Sequence, residues 1–398
     1  MKKRFLICIL LTLLLILGSG SAAFAAEDGE DAEETISETE EETEPETLEN
    51  GEPRLDSAAC CVMDQKTGMV LYEKDMDAKH YPASITKILT ALVFLEHIES
   101  LDEVVTFSED CWEGIDHYDN MNIDMRDGEQ LTAEQCLYAM LVASANEVCN
   151  QVAIYTAGSV PAFADMMNER AAQLGCTGSH FVNPNGLHNK DHYLTAHDMA
   201  LIAREAMNNE TFRKVTATPV YTIKSTNKRK EPIEIGSKHL ILRESHVHDD
   251  ACVGGKTGWT EEANETLVTF MDKNDMLLIC VVLDNAKSTP CKDTLKAMNY
   301  CYEKYTRSSI DEAAAQIAET ETAAVETQET EAIRDTENVA ITPEESSRNA
   351  AENQKDFFDR LIDFVFAHVK VLIPAAAGIL ILLSFFLVWI VTSAGRRH

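Results

Sequence analysis

Ser84 and Lys87 stand three residues apart in the stretch YPASITKILTAL, residues 81–92. A serine hydroxyl attacks a carbonyl only when a neighbouring group takes its proton, and a lysine can take it only when its own pKa is pushed down. The first turns of a buried helix supply that push. A helix N-terminus disfavours a cation by roughly 0.3–1 kcal/mol, and desolvation disfavours the ammonium further. S-x-x-K is a loose pattern, and Ser225-Thr226-Asn227-Lys228 also satisfies it, but in a basic turn with no apolar stripe after it. Two further groups sit downstream of the first copy. Ser144-Ala145-Asn146 offers a hydroxyl and an amide that can relay a proton and hold a substrate amide. In Lys256-Thr257-Gly258 an ammonium and a hydroxyl can grip a carboxylate, while the glycine lets another backbone approach. Ser225-Thr226-Asn227, Ser347-Arg348-Asn349 and Lys66-Thr67-Gly68 repeat the second and third patterns in a turn, an acidic stretch and a hairpin turn respectively.

Elements must carry these groups to one place. Pro82 followed by Ile85, Ile88, Leu89 and Leu92 predicts a helix starting at the first motif. Before it, SAACCVMDQKTGMVLYEKD has two strand-like runs around a glycine turn, the pattern of a hairpin. Helical periodicity runs from Ala133, placing Ser144 where one helix meets the next, then through PAFADMMNERAAQLG and TAHDMALIAREAMNN, broken by the turn-rich NPNGLHNKDH. The last third changes period, with strands in PVYTIKSTNKRKEPIEIG, ACVGGKTGWT and NETLVTFMDKNDMLLICVVLD, closed by a helix from Thr289 to Tyr305. A hairpin first, helices in the middle and strands last require the terminal strands to share a sheet, an α+β arrangement.

The ends of the chain read differently. Residues 1–25 have a basic start, an apolar run and small residues ending in Ala23-Phe24-Ala25, which predicts a cleaved signal peptide. Residues 371–392 hold no charge and are long enough to span a bilayer. Arg396 and Arg397 follow in the short tail 393–398, placing that tail inside the cell and the body on the extracellular face of a single-pass membrane protein. Residues 356–370 form an amphipathic juxtamembrane segment. The net charge of −33 is concentrated at two places: 27–54 hold fourteen acidic residues against one arginine, and 309–352 hold twelve against two. Poor in aromatics, residues 26–54 and 307–355 read as solvated linkers, leaving a body of 55–306. That charge balance excludes nucleic acid as a partner class. Ten cysteines remain after the signal peptide; scattered, several among apolar neighbours and without C-x-x-C, they read mostly as free thiols.

S-x-x-K, S-x-N and K-T-G in that order form a specific set, and the chain resembles the serine penicillin-recognising enzymes. More narrowly, YPASITKILTAL, ASANEVCN, FVNPNGLHNKDHYLTAHDMALIAR and VGGKTGWTEEA resemble the low-molecular-mass D-alanyl-D-alanine carboxypeptidases of peptidase family S11, over roughly residues 55 to 305. The resemblance implies an antiparallel sheet flanked by helices, with a helical subdomain and the active site between them. It implies Ser84 as the acylated nucleophile, Lys87 as its proton acceptor and first candidate for the deacylating base, and Ser144 and Asn146 as a second wall. Lys256, Thr257 and Gly258 would meet the terminal carboxylate of a D-Ala-D-Ala stem peptide, and the N–H groups of Ser84 and Trp259 would form an oxyanion hole. β-Lactams would acylate the same serine. Neither cofactor nor metal is called for. A small β-rich domain common after the catalytic one has no counterpart here, and alanine replaces the commoner aspartate or glycine within S-x-N. A β-lactamase is the rival enzyme reading, and a non-catalytic β-lactam sensor or wall-binding module the rival from another class.

Overall fold

The computed structural model describes residues 46–320. Residues before Leu55 belong to a separate unit, and the body runs from Leu55 onward. The expected hairpin is strands β1 (Ala59–Asp64) and β2 (Val70–Lys74), joined by a turn in which Thr67 Oγ1 donates to Asp64 Oδ1 at 2.6 Å. β1 pairs on its other side with a strand from the far end of the chain. The main sheet has the antiparallel order β2-β1-β9-β8-β7, with β7 at Cys252–Thr260, β8 at Asn264–Lys273 and β9 at Met276–Asn285. The terminal strands thus share one sheet, as their period requires.

β1 is buried at every position, because both faces of the sheet are covered. Side chains of a strand alternate between faces. Ala59, Cys61 and Met63 accordingly join the large cluster under the helices α1 (Lys87–His97), α2 (Ala133–Leu141), α3 (Asn146–Ala157), α4 (Val160–Gln173) and α5 (Ala196–Ala206), while Cys60 and Val62 face Met298 and Cys301 of α7 (Pro290–Lys304). α6 (Glu210–Thr216) places Phe212 edge-on to Phe270 of β8. α2 starts on a reciprocal cap between Thr132 and Gln135, the sequence signature of a helix start.

Two expectations change. Among the described residues the strands β5 (Val220–Ile223) and β6 (Ile233–Gly236) pair only with each other and stay out of the main sheet, as do β3 (Val104–Thr106) and β4 (Gln130–Thr132). The linker expected from 307 instead begins as a helix, 307–320, whose Ile310 is fully buried in the α7-side cluster. Arg307 donates to the buried Asp64 at 2.7 and 3.1 Å, and Lys66 reaches Asp311 at 2.9 Å. The ten cysteines from Cys60 to Cys301 are free thiols, nine of them buried. The signal peptide, the rest of both acidic linkers, the amphipathic segment and the span 371–392 lie outside the described residues. Among the described residues no helix is long and apolar enough to cross a membrane.

Candidate active site

Ser84 lies in a short 3-10 turn, Ala83–Thr86, and Lys87 is the first residue of α1. The lysine is fully buried. A buried ammonium requires acceptors. Lys87 Nζ has three: Ser84 Oγ at 2.8 Å, the side-chain oxygen of Asn146 at 2.7 Å and the backbone carbonyl of Asn185 at 2.6 Å. Burial pushes its pKa down to about 8, against an opposing pull from Cys149 and Glu147. Two of the three partners can only accept. When Lys87 loses a proton, its two remaining N–H bonds stay with Asn146 and Asn185, so the lone pair is left facing the one partner that can donate, the Ser84 hydroxyl.

The backbone around the serine is held in unusual conformations. Ala83 has φ +51° and Ser144, between α2 and α3, has φ +63°, positions that cost a non-glycine residue about 1–2 kcal/mol. Such outliers persist where surrounding contacts over-determine them. Gly186 (φ +84°) packs against Ala83, and a Cβ there would lie 1.9 Å from the Ala83 carbonyl oxygen. On the other side, a Cβ on Gly258 would lie 2.9 Å from Ser84 N and 3.0 Å from Pro82 O. Only glycine permits this contact between β7 and the serine turn.

The second wall forms as α3 begins. Asn146 is its first residue, and its N–H donates to Met121 O at 2.9 Å. Lys256 Nζ donates to Ser144 Oγ at 3.0 Å and to Thr257 O at 2.7 Å. Burial, and then the charge of Lys87, hold the Lys256 pKa well below the usual lysine range. Glu147, beside Asn146, is buried with Oε1 accepting from Ile123 N at 2.8 Å, and burial pushes its carboxyl up to about 7.

A cleft of about 870 Å³ opens over these groups, lined by Ser84, Ser144, Asn146, Thr257, Gly258 and Trp259. The eight residues singled out in sequence therefore converge. Six line the cleft, and Lys87 and Lys256 lie beneath it. Lys256 meets Ser144 rather than the cleft surface, so a carboxylate would meet Thr257 first. Trp259 is 67% exposed. The look-alike motifs lie elsewhere: Lys66 pairs with Asp311, and Asn227 accepts from Gln130 N and donates to Gly128 O. The third, at Ser347, is outside the described residues. Asn185 was missed in sequence, where NPNG reads only as a turn, as was Lys238 on the cleft rim. The loop is a clamp: next to the Asn185 carbonyl on Lys87, the Pro184 carbonyl accepts from Thr90 Oγ1 at 2.6 Å. Among the described residues no group of three or more His, Cys, Asp or Glu is placed to hold a metal ion.

Comparison with known proteins converges on one family. Residues 46–287 match the family described as D-alanyl-D-alanine carboxypeptidase, peptidase S11. The chain is 29% identical over 309 residues to D-alanyl-D-alanine carboxypeptidase DacF of Bacillus subtilis, covering 76% of this chain and 72% of that one. It is 33% identical over 224 residues to DacB2 of Mycobacterium tuberculosis, covering 56% of this chain and 72% of the relative. Among solved structures, the Streptomyces K15 DD-transpeptidase superposes with a TM-score of 0.59 at 28% identity, over 63% of this chain and 99% of that one. The penicillin-binding-protein type of α+β fold, an antiparallel sheet between helices, is thereby shown.

Proposed function

The chain belongs to the D-alanyl-D-alanine carboxypeptidase family, and on that premise we propose how its own residues divide the work of removing the terminal D-alanine from a peptidoglycan stem peptide. Neutral Lys87 takes the Ser84 proton as Oγ bonds to the carbonyl carbon of the penultimate D-alanine. The backbone N–H groups of Ser84 and Trp259 receive the oxyanion, a donor pair of the kind whose members are each worth on the order of 10²–10³ in rate. Thr257, with the field of Lys256 behind it, receives the terminal carboxylate. As the C–N bond breaks, the departing D-alanine amine takes a proton from the Lys87 ammonium, with Ser144 as the relay. Water, deprotonated by Lys87, then attacks the ester, frees the shortened peptide and returns Ser84 to its hydroxyl form. A β-lactam opens on the same serine, but its leaving amine stays tethered to the acyl group.

The observation that carries this reading is the three-acceptor cage around Lys87, which aims its lone pair at Ser84. The loop 181–195, FVNPNGLHNKDHYLT, holds no glutamate to direct water at a penicilloyl ester, which argues against the β-lactamase alternative. The test is a pentapeptide ending in D-Ala-D-Ala together with labelled penicillin. Sustained D-alanine release, about one penicillin bound per enzyme and loss of both in a folded Ser84→Ala variant are expected. Labelling at Ser225, or rapid steady penicillin turnover without D-alanine release, overturns the reading.

We also propose that residues 1–25 direct export and 371–392 anchor the chain as a single-pass protein with the catalytic body on the extracellular face. The sequence pattern of both segments and the arginines after the span support this.

A further inference from the structure

His192 lies in the turn-rich stretch before α5, away from the cleft, and is 1% exposed. Its two ring nitrogens have different partners. The backbone N–H of Val182 donates to Nδ1 at 3.1 Å, which makes Nδ1 the acceptor and puts the ring proton on Nε2. Nε2 lies 2.9 Å from Thr86 Oγ1, and the Thr86 hydroxyl in turn donates to Ala83 O at 2.9 Å. Every link therefore has one direction: Val182 N–H to Nδ1, Nε2–H to Thr86 Oγ1, Thr86 O–H to the Ala83 carbonyl. That carbonyl belongs to the left-handed residue immediately before Ser84, and it is the same atom against which Gly186 packs. Burial first, then the nearby His180, His188 and Lys87, push the imidazole pKa down to about 3, so the neutral ring that this chain requires persists through the working pH range.

We propose that His192 is a positioning residue for the nucleophile: through Thr86 it holds the Ala83 carbonyl, and with it the left-handed turn that aims Ser84 Oγ at Lys87. This rests on Ser84 being the nucleophile. A misplacement of about 1 Å at reacting atoms costs about 10²-fold in rate, and that is the scale of effect expected here.

The test uses the full-length chain and two pairs of variants, with the rate of acylation by a fluorescent penicillin measured separately from its initial non-covalent binding. His192→Gln keeps an N–H within reach of Thr86, whereas the shorter amide of His192→Asn can accept from Val182 but does not reach Thr86. Acylation is expected within a few-fold of the parent for His192→Gln and about 10²-fold slower for His192→Asn, with initial binding unchanged in both. Thr86→Ser should behave as the former and Thr86→Val as the latter. Combining His192→Asn with Thr86→Val should be no slower than Thr86→Val alone, because both break one chain. Equal losses in His192→Gln and His192→Asn, additive losses in the double variant, or parental acylation in a folded His192→Asn each overturn the proposal. If His192→Asn does not fold, the Thr86 pair decides, since valine keeps the shape of threonine. Failure of the underlying reading looks different: Ser84→Ala would then still be acylated.

Discussion

A lysine ammonium has three N–H bonds, and Lys87 spends them on three acceptors of which only Ser84 can reverse its role. The pH dependence of acylation should report the loss of that third proton. With burial holding Lys87 near pKa 8, about one enzyme in ten has the neutral amine at pH 7. Acylation by a β-lactam should therefore rise about tenfold per pH unit below 8 and level off above it. A stopped-flow series from pH 5.5 to 10 checks this, and a flat profile would mean that another group takes the proton. The same shift acts on stability with a definite sign. Between about pH 8 and 10.5 the unfolded chain binds more protons at this lysine than the folded one, so its contribution to stability rises with pH across that window. Serine and lysine were legible in the sequence because their types and spacing carry the chemistry. The third acceptor was not, since a backbone carbonyl can come from any residue and only the fold of the 183–186 loop brings it to Nζ.

That loop is the element on which the site turns. Asn183 Oδ1 accepts from Gly186 N at 2.7 Å and Asn185 Oδ1 from Leu187 N at 2.9 Å, so each asparagine closes its own turn, leaving the carbonyls of Pro184 and Asn185 for α1. Gly186→Ala places a methyl against the Ala83 carbonyl at a positive φ, and the resulting shift should reach Ser84. We expect acylation to fall by about 10²-fold, with stability lowered by at least the ~1–2 kcal/mol of the left-handed backbone. Acylation kinetics and a thermal melt measure the two effects, and parental values in both would contradict this account of the loop. Elements with a strong period were legible: the first hairpin and the helix after Ala133 lie where the sequence puts them, and the helix expected from Ser84 starts at Lys87, after a 3-10 turn. The pairing of short strands was not. Val220–Ile223 and Ile233–Gly236 have strand composition, but alternation over four residues carries no information about which sheet receives it. The helix 307–320 was missed for another reason. Its alanines favour a helix, and Arg307, Ile310 and Asp311 anchor it to the body, but averaged into the long acidic stretch they vanish.

At the scale of the whole molecule the body should function without its ends. A fragment of residues 55–320 is expected to be soluble and to release D-alanine at the rate of the full chain, whereas the full chain should sediment with membranes and lose its body to protease added outside intact cells. A full chain that stays soluble would overturn the anchored topology. In that fragment Arg307→Ala leaves Asp64 buried without its cation. Breaking such a pair costs about 3–5 kcal/mol when fully buried, and roughly 2–3 kcal/mol is expected here because the arginine side chain is 21% exposed. Thermal melts of the fragment with and without the substitution test this, and equal midpoints would show that the clamp contributes nothing.

The position of that clamp has a mechanical consequence. Along the ladders, Asp64 aligns with Leu278, Met271 and Cys252, whereas Gly258 aligns with Thr266 at the other end of β8. Asp64 and the serine turn are thus about six residues apart along the strands, roughly 20 Å, and β1 is three strands across from β7. Tension applied to the chain beyond residue 320 first loads the helix 307–320 and passes through Arg307 and Asp311 into the turn of the β1–β2 hairpin. That load enters the sheet at the β1–β2 hairpin, at the opposite end from the serine turn and three strands across from β7.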